Sequence, residues 1–157
     1  MEVKKLIDIL TEGYLIEDKD TIIAKCEEAF KAPFDYATKN DLLWLLETRE
    51  DSILDALLPL ELSEIIIRGD KIDEIHEQLS ELIENLPDFP YEKELTAKQY
   101  FQWIEEYLGD NNELLLIGDS LGDELVIFLV YKDDVEEIFY LANKLNIQCH
   151  KPKEYLY

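Results

Sequence analysis

Residues 113–131, ELLLIGDSLGDELVIFLVY, hold two apolar runs on either side of a short Gly/Asp/Ser segment, and no other stretch limits the fold as strongly. Leu114 to Ile117 and Leu125 to Tyr131 are apolar at every alternate position and at the positions between, a pattern for strands covered on both sides. A hairpin with one face in water would alternate instead. Gly118, Asp119, Ser120, Gly122 and Asp123 tolerate positive φ or bond their own backbone, which suits a hairpin loop of about four to six residues. The reading is therefore α+β: a single globular domain over residues 1–157, with a small mixed sheet that contains a central hairpin at about 113–131 and has helices packed on it.

The rest of the chain supplies those helices. Val3, Leu6, Ile7 and Leu10 recur at helical spacing, with Gly13 placed for a left-handed C-cap. Tyr14 to Ile16 reads as a short strand. Ile22, Ile23, Cys26, Ala29 and Phe30 form a second helical stripe, capped by Asp18 or Asp20 and stopped by Pro33. Within Asn40 to Leu58 the continuous apolar run Leu42 to Leu46 suits a buried strand or a buried helix equally; helix is favoured, because Leu43, Leu46, Ile53 and Leu57 share a face, Asn40 can cap it and Pro59 closes it. Glu64 to Arg68, three isoleucines before Gly69, predicts a short buried strand. In the next helix Ile72, Ile75, Leu79, Leu82, Ile83 and Leu86 share one face, expected to be buried on the sheet, and Pro87 ends it. Thr96 and Gln99 have capping-box spacing before an aromatic helix that ends at Gly109. A last helix from Asp133 or Asp134 to Asn146 and a strand at Ile147 to Cys149 complete a β-α-loop-α-β-β-α-β series.

Charge narrows the partners. The 157 residues hold 37 Asp and Glu against 15 Lys and Arg, a formal charge of −22. That charge repels phosphate backbones and anionic membranes and attracts basic surfaces. The expectation is a protein partner with a basic surface, no direct nucleic-acid binding and no membrane; oligomeric state is not legible. MEVKKLIDIL lacks the apolar core and cleavage site of a signal peptide, and Cys26 and Cys149 are isolated, so the expected compartment is the cytoplasm with both thiols free.

Few motifs carry chemistry. Gly118, Asp119, Ser120 and Leu121 spell the block of the Gly-Asp-Ser-Leu hydrolases, but there the serine opens a helix and an Asp-x-x-His block follows near the C-terminus. Here Ser120 precedes a strand, and the only Asp-x-x-His is Asp73 with His76, upstream. A turn is the favoured reading; a hydrolase using Ser120 with His76 or His150 is the alternative. Cys149 and His150 are neighbours on a strand and point to opposite faces, and without a second Cys-His block no metal site is expected. No phosphate-cradling glycine motif occurs, and neither catalytic nor cofactor-binding residues are assigned. One stretch does suggest binding: Asp70, Asp73, Glu74, Glu77, Glu81 and Glu84 fall on one helical arc with only Lys71 among them, so they repel each other. Asp73, Glu77, Glu81 and Glu84 are the candidate partner-binding residues.

The pattern ELLLIGDSLGDELVIFLV followed by DDVEEIFYLANKLNI resembles the C-terminal half of small acidic bacterial proteins of an uncharacterised domain-of-unknown-function family. The chain is also similar in class to immunity proteins, which neutralise a partner toxin by complementary charge and shape. Those resemblances imply an acidic protein-binding module of immunity or regulatory type, without catalytic activity. A third class, a nucleic-acid mimic whose carboxylates imitate phosphates, rests on charge alone.

Overall fold

Strands that are apolar on both faces belong at the centre of a covered sheet, and the two runs of residues 113–131 take that place. In the computed structural model, which describes residues 1–47 and 53–156, the sheet has the order β1-β3-β2-β4. The strands are β1 (Ile67–Gly69), β2 (Asn112–Ile117), β3 (Leu125–Tyr131) and β4 (Cys149–His150). Leu114 lies opposite Leu129 and Leu116 opposite Ile127 in the central pair. The connecting loop, residues 118–124, is longer than expected.

Every neighbouring pair is antiparallel, which corrects the expectation of a mixed sheet while leaving the α+β class intact. The reason is topological. β1 and β2 run in the same direction, but the hairpin's second strand inserts between them, so neither has a parallel neighbour. β3 and β4 likewise run together, with β2 between.

Helices cover both faces. Leu115, Ile117, Val126, Phe128 and Val130 meet α1 (Glu2–Leu10), α2 (Lys19–Lys31), α4 (Leu54–Glu61) and α7 (Val135–Lys144) in one core. Ile67, Leu114, Leu116 and Ile127 meet α5 (Ile72–Leu82) and α6 (Ala97–Ile104) in the other. Alternate side chains of each central strand therefore enter separate cores. The Thr96–Gln99 capping box forms in both directions, at 3.2 and 3.0 Å, and Gly13, Gly109 and Asn146 take positive φ after their helices. Pro33 stops α2 as expected, since the helix ends at Lys31 and Ala32 before the proline is no longer helical, but α3 (Pro33–Lys39) was not foreseen: Pro33 also opens it as its first residue, where a missing N–H costs nothing. α8 (Pro152–Tyr155) closes the chain.

Other expectations are corrected. Tyr14–Ile16 is not a strand. The predicted helix over Asn40–Leu58 is interrupted: Asn40 caps the end of α3, Leu43–Leu46 is a single 3-10 turn with Leu43 exposed, α4 starts at Leu54, and residues 48–52 of that prediction lie outside the described residues. α5 ends at Leu82, where Ile83 turns extended, instead of running to Leu86. Ile75 and Leu79 are fully buried, but Leu82 is 46% exposed, so the predicted face is only partly on the sheet. The helix leaves the sheet before its apolar pattern ends.

Pro59, expected to end a helix, sits inside α4. A proline there has no N–H for the carbonyl of Asp55, four residues back. That carbonyl instead accepts the N–H of Asp119 in the hairpin loop at 2.7 Å. The buried Asp55 carboxylate accepts the Gln148 backbone N–H at 2.7 Å and its side-chain amide at 2.9 Å, and the Gly118 N–H donates to the Gln148 carbonyl at 2.9 Å. α4, the hairpin loop and the approach to β4 thus meet at one point. Gly118 has φ +85°, and a Cβ there would lie 2.6 Å from Pro59 Cγ and 2.8 Å from the Asp55 carbonyl oxygen.

Two stability predictions follow from this packing. Leu79→Ala should destabilise by about 2–5 kcal/mol in chemical denaturation, against less than about 1 kcal/mol for Leu82→Ala; equal effects would contradict the helix placement. Gly118→Ala combines left-handed backbone with a backbone and proline clash and should cost about 2 kcal/mol or more, read from the denaturation midpoint.

Candidate functional site

Helical spacing decides which carboxylates can act together. Asp73, Glu77 and Glu81 stand at successive i, i+4 positions of α5 and form one strip along the helix, whereas Glu84 lies beyond its end. Glu77, Glu81 and Glu84 are exposed and Asp73 is half-buried. Among the described residues none of the four pairs with a cation: Lys4, Lys19, Lys25, Lys39, Lys151, Lys153 and Arg68 engage Asp8, Glu28, Glu61, Glu105, Glu113 and Glu124 instead. The strip's like charges therefore stand one helical turn apart with no counter-charge among the described residues.

The opposite side of α5 is structural. His76 is buried, its Nδ1 2.9 Å from the Tyr100 hydroxyl and its Nε2 2.8 Å from the Pro87 carbonyl oxygen. A carbonyl can only accept, so Nε2 carries the proton, and in the neutral ring Nδ1 accepts from Tyr100. Phe89 and Trp103 pack their rings against the imidazole. Burial pushes the Tyr100 hydroxyl well above its ordinary value. With both nitrogens occupied, His76 holds the loop after α5 onto α6, and it has no free nitrogen for Ser120.

The Ser120 hydroxyl is likewise spent on its own loop. It donates to the Glu124 carbonyl at 2.7 Å and the Gly122 carbonyl at 3.2 Å and accepts the Gly122 N–H at 3.3 Å, while Asp119 Oδ1 accepts the Leu121 N–H at 2.8 Å. His150 lines the same depression, of about 290 Å³, but stacks flat on Tyr155 with ring centres 4.1 Å apart and makes no hydrogen bond to Ser120. The Gly-Asp-Ser-Leu segment is therefore a self-bonded turn, and the Ser–His pair of the hydrolase alternative is not formed. Cys149 packs toward the α1/α7 core while its neighbour His150 faces the depression, and burial pushes both thiols, Cys26 and Cys149, up to about 12. Neither is poised as a nucleophile. Among the described residues no cluster of His, Cys, Asp and Glu could hold a metal ion, and no helix is long and apolar enough to cross a membrane.

The chain matches no protein-family model, no curated protein and no solved structure. The site rests on its own geometry, in which sequence periodicity found the acidic strip. The turn in which Asp119 and Ser120 bond their own backbone was also legible, whereas the partners of His76, Tyr100 and the Pro87 carbonyl, were not, since the folded loop after α5 fixes them.

Ser120→Ala should cost about 0.5–1.5 kcal/mol through its lost loop bonds. The same variant should leave hydrolysis of p-nitrophenyl acetate at the rate of the unsubstituted protein; a marked fall in hydrolysis would contradict the turn assignment.

Proposed function

We propose that the protein is an acidic protein-binding module of immunity or regulatory type, working in the cytoplasm and engaging a basic surface of its partner. The observation that carries this reading is the strip of Asp73, Glu77 and Glu81, which no cation of the described residues neutralises, on a chain of charge −22. Like charges one helical turn apart destabilise the helix that carries them. Docked against lysines and arginines they would be neutralised, and the same field would speed encounter with a cationic patch and repel acidic proteins. Nucleic-acid backbones and anionic lipid are disfavoured ligands for the same reason.

The test begins by capturing the partner from cells that make the protein, then measures its association rate at low and high salt. The rate should fall by about tenfold or more as salt screens the charges, and Glu77→Lys with Glu81→Lys should slow it at low salt. A rate indifferent to both changes would mean that the acidic strip is only a solvated helix face.

A further inference from the structure

The sheet's two outer edges are finished differently. In the β2/β3 pair the Lys132 N–H donates to the Asn111 carbonyl at 2.8 Å, so residues 111 and 132 face each other as a hydrogen-bonded pair. Alternation then directs the N–H and C=O of Phe128 and Val130 toward β2, and those of Ile127, Leu129 and Tyr131 toward the β1 side. Two other observations give the same phase. Gly118 bonds Gln148 on the far side of β2, and Arg68, opposite Val126, turns its N–H and C=O outward, where the Gln78 amide meets both at 3.0 and 2.7 Å.

β1 covers β3 only from Leu125 to Ile127. Beyond it the chain turns away, and the N–H and C=O of Leu129 and Tyr131 have no hydrogen-bond partner among the described residues. The outer edge of β1 is closed by Gln78. The free edge of β2 beside Leu114 is covered by Pro152, with Lys151 bridged to Glu113 and Lys153 to Glu105, leaving about 30 Å³. The Leu129–Tyr131 edge, by contrast, opens on a groove of about 210 Å³, walled by Tyr14 and by the exposed Leu82. An unpaired edge with apolar walls is the geometry of strand addition, in which main-chain bonds supply affinity and side-chain pockets supply selectivity.

The charge at its mouth selects the occupant. A second depression, sharing Glu12 and Tyr131 with the groove, is lined by Asp133 and Asp134. The Glu12 carboxyl faces that of Asp134, and this contact raises its pKa above the ordinary value. Among the described residues no cation pairs with either of these two carboxyl groups.

We propose that the free edge of β3 at Leu129 and Tyr131 accepts a short extended segment of a basic partner, which adds as a strand in line with β1, seats an apolar side chain against Leu82 and Tyr14, and sets a lysine or arginine between Glu12 and Asp134. This rests on the basic-partner reading above and locates a main-chain contact for it. The acidic mouth repels a second copy of this chain, which would bring its own carboxylates to the same edge.

The probe is an acetylated and amidated peptide of alternating lysine and valine, titrated into the intact protein at low salt, beside the same peptide with N-methyl groups on alternate residues. Binding should weaken about tenfold or more on N-methylation, on Leu82→Arg, and on Glu12→Lys with Asp134→Lys, and the Leu129 and Tyr131 amides should gain protection from deuterium exchange. Leu82 is a surface position, so its variant reports the groove and not the fold. Equal binding of both peptides, or protection that appears on α5 instead, overturns the strand-edge inference and leaves the acidic-module reading standing. Absence of binding up to about 1 mM overturns the inference too. A dimer of the free protein that protects the same two amides would replace the basic strand with a second copy.

Discussion

The Asp55 carbonyl, whose i+4 residue is Pro59 and offers no N–H, is the point at which α4, the hairpin loop and the approach to β4 are tied together. In place of the N–H that Pro59 lacks, the hairpin loop supplies the Asp119 N–H, and the close approach requires a glycine at Gly118. The Asp55 side chain then holds Gln148 at the approach to β4. Three segments distant in sequence are fixed by one residue's carbonyl and carboxylate. This explains why an unfavourable helix proline, a left-handed glycine and a buried acid occur together: each alone is costly, and each supplies what another lacks.

Local chemistry made much of this fold legible. The hairpin, α5, α6 and α7 follow from apolar spacing and caps, because a covered strand or an amphipathic helix writes its environment into neighbouring residues. What escaped was set at long range. Nothing near Glu64–Gly69 tells that β3 inserts beside β1, and so the antiparallel order was not readable. Pro59 reads as a stop until the Asp119 N–H is known to reach the Asp55 carbonyl. Leu82 continues the apolar face of Ile75 and Leu79, yet the helix has passed the sheet by then. The acidic strip was legible as a period of four, whereas the open edge at Leu129 and Tyr131 depends on where β1 ends, which side chains alone do not encode.

The functional account joins two kinds of incompleteness. Asp73, Glu77 and Glu81 carry charge that no cation among the described residues neutralises, and Leu129 and Tyr131 carry main-chain groups that no described residue pairs. The charge gives long-range attraction with little geometric demand; the edge gives short-range order with little charge preference. A partner that offers lysines or arginines on an extended segment meets both demands. The candidate chemistries are each occupied by structure: Ser120 by its turn, His76 by Tyr100 and Pro87, and the thiols by burial.

Zero-length carbodiimide cross-linking of the protein to its captured partner addresses that account most directly, because it joins only carboxylates to amines in contact. With 37 acidic side chains available, the location of the links is informative. The account predicts partner lysines joined to Asp73, Glu77 or Glu81 and to Glu12 or Asp134. Links confined to carboxylates elsewhere, or none in a complex that otherwise persists, would contradict it.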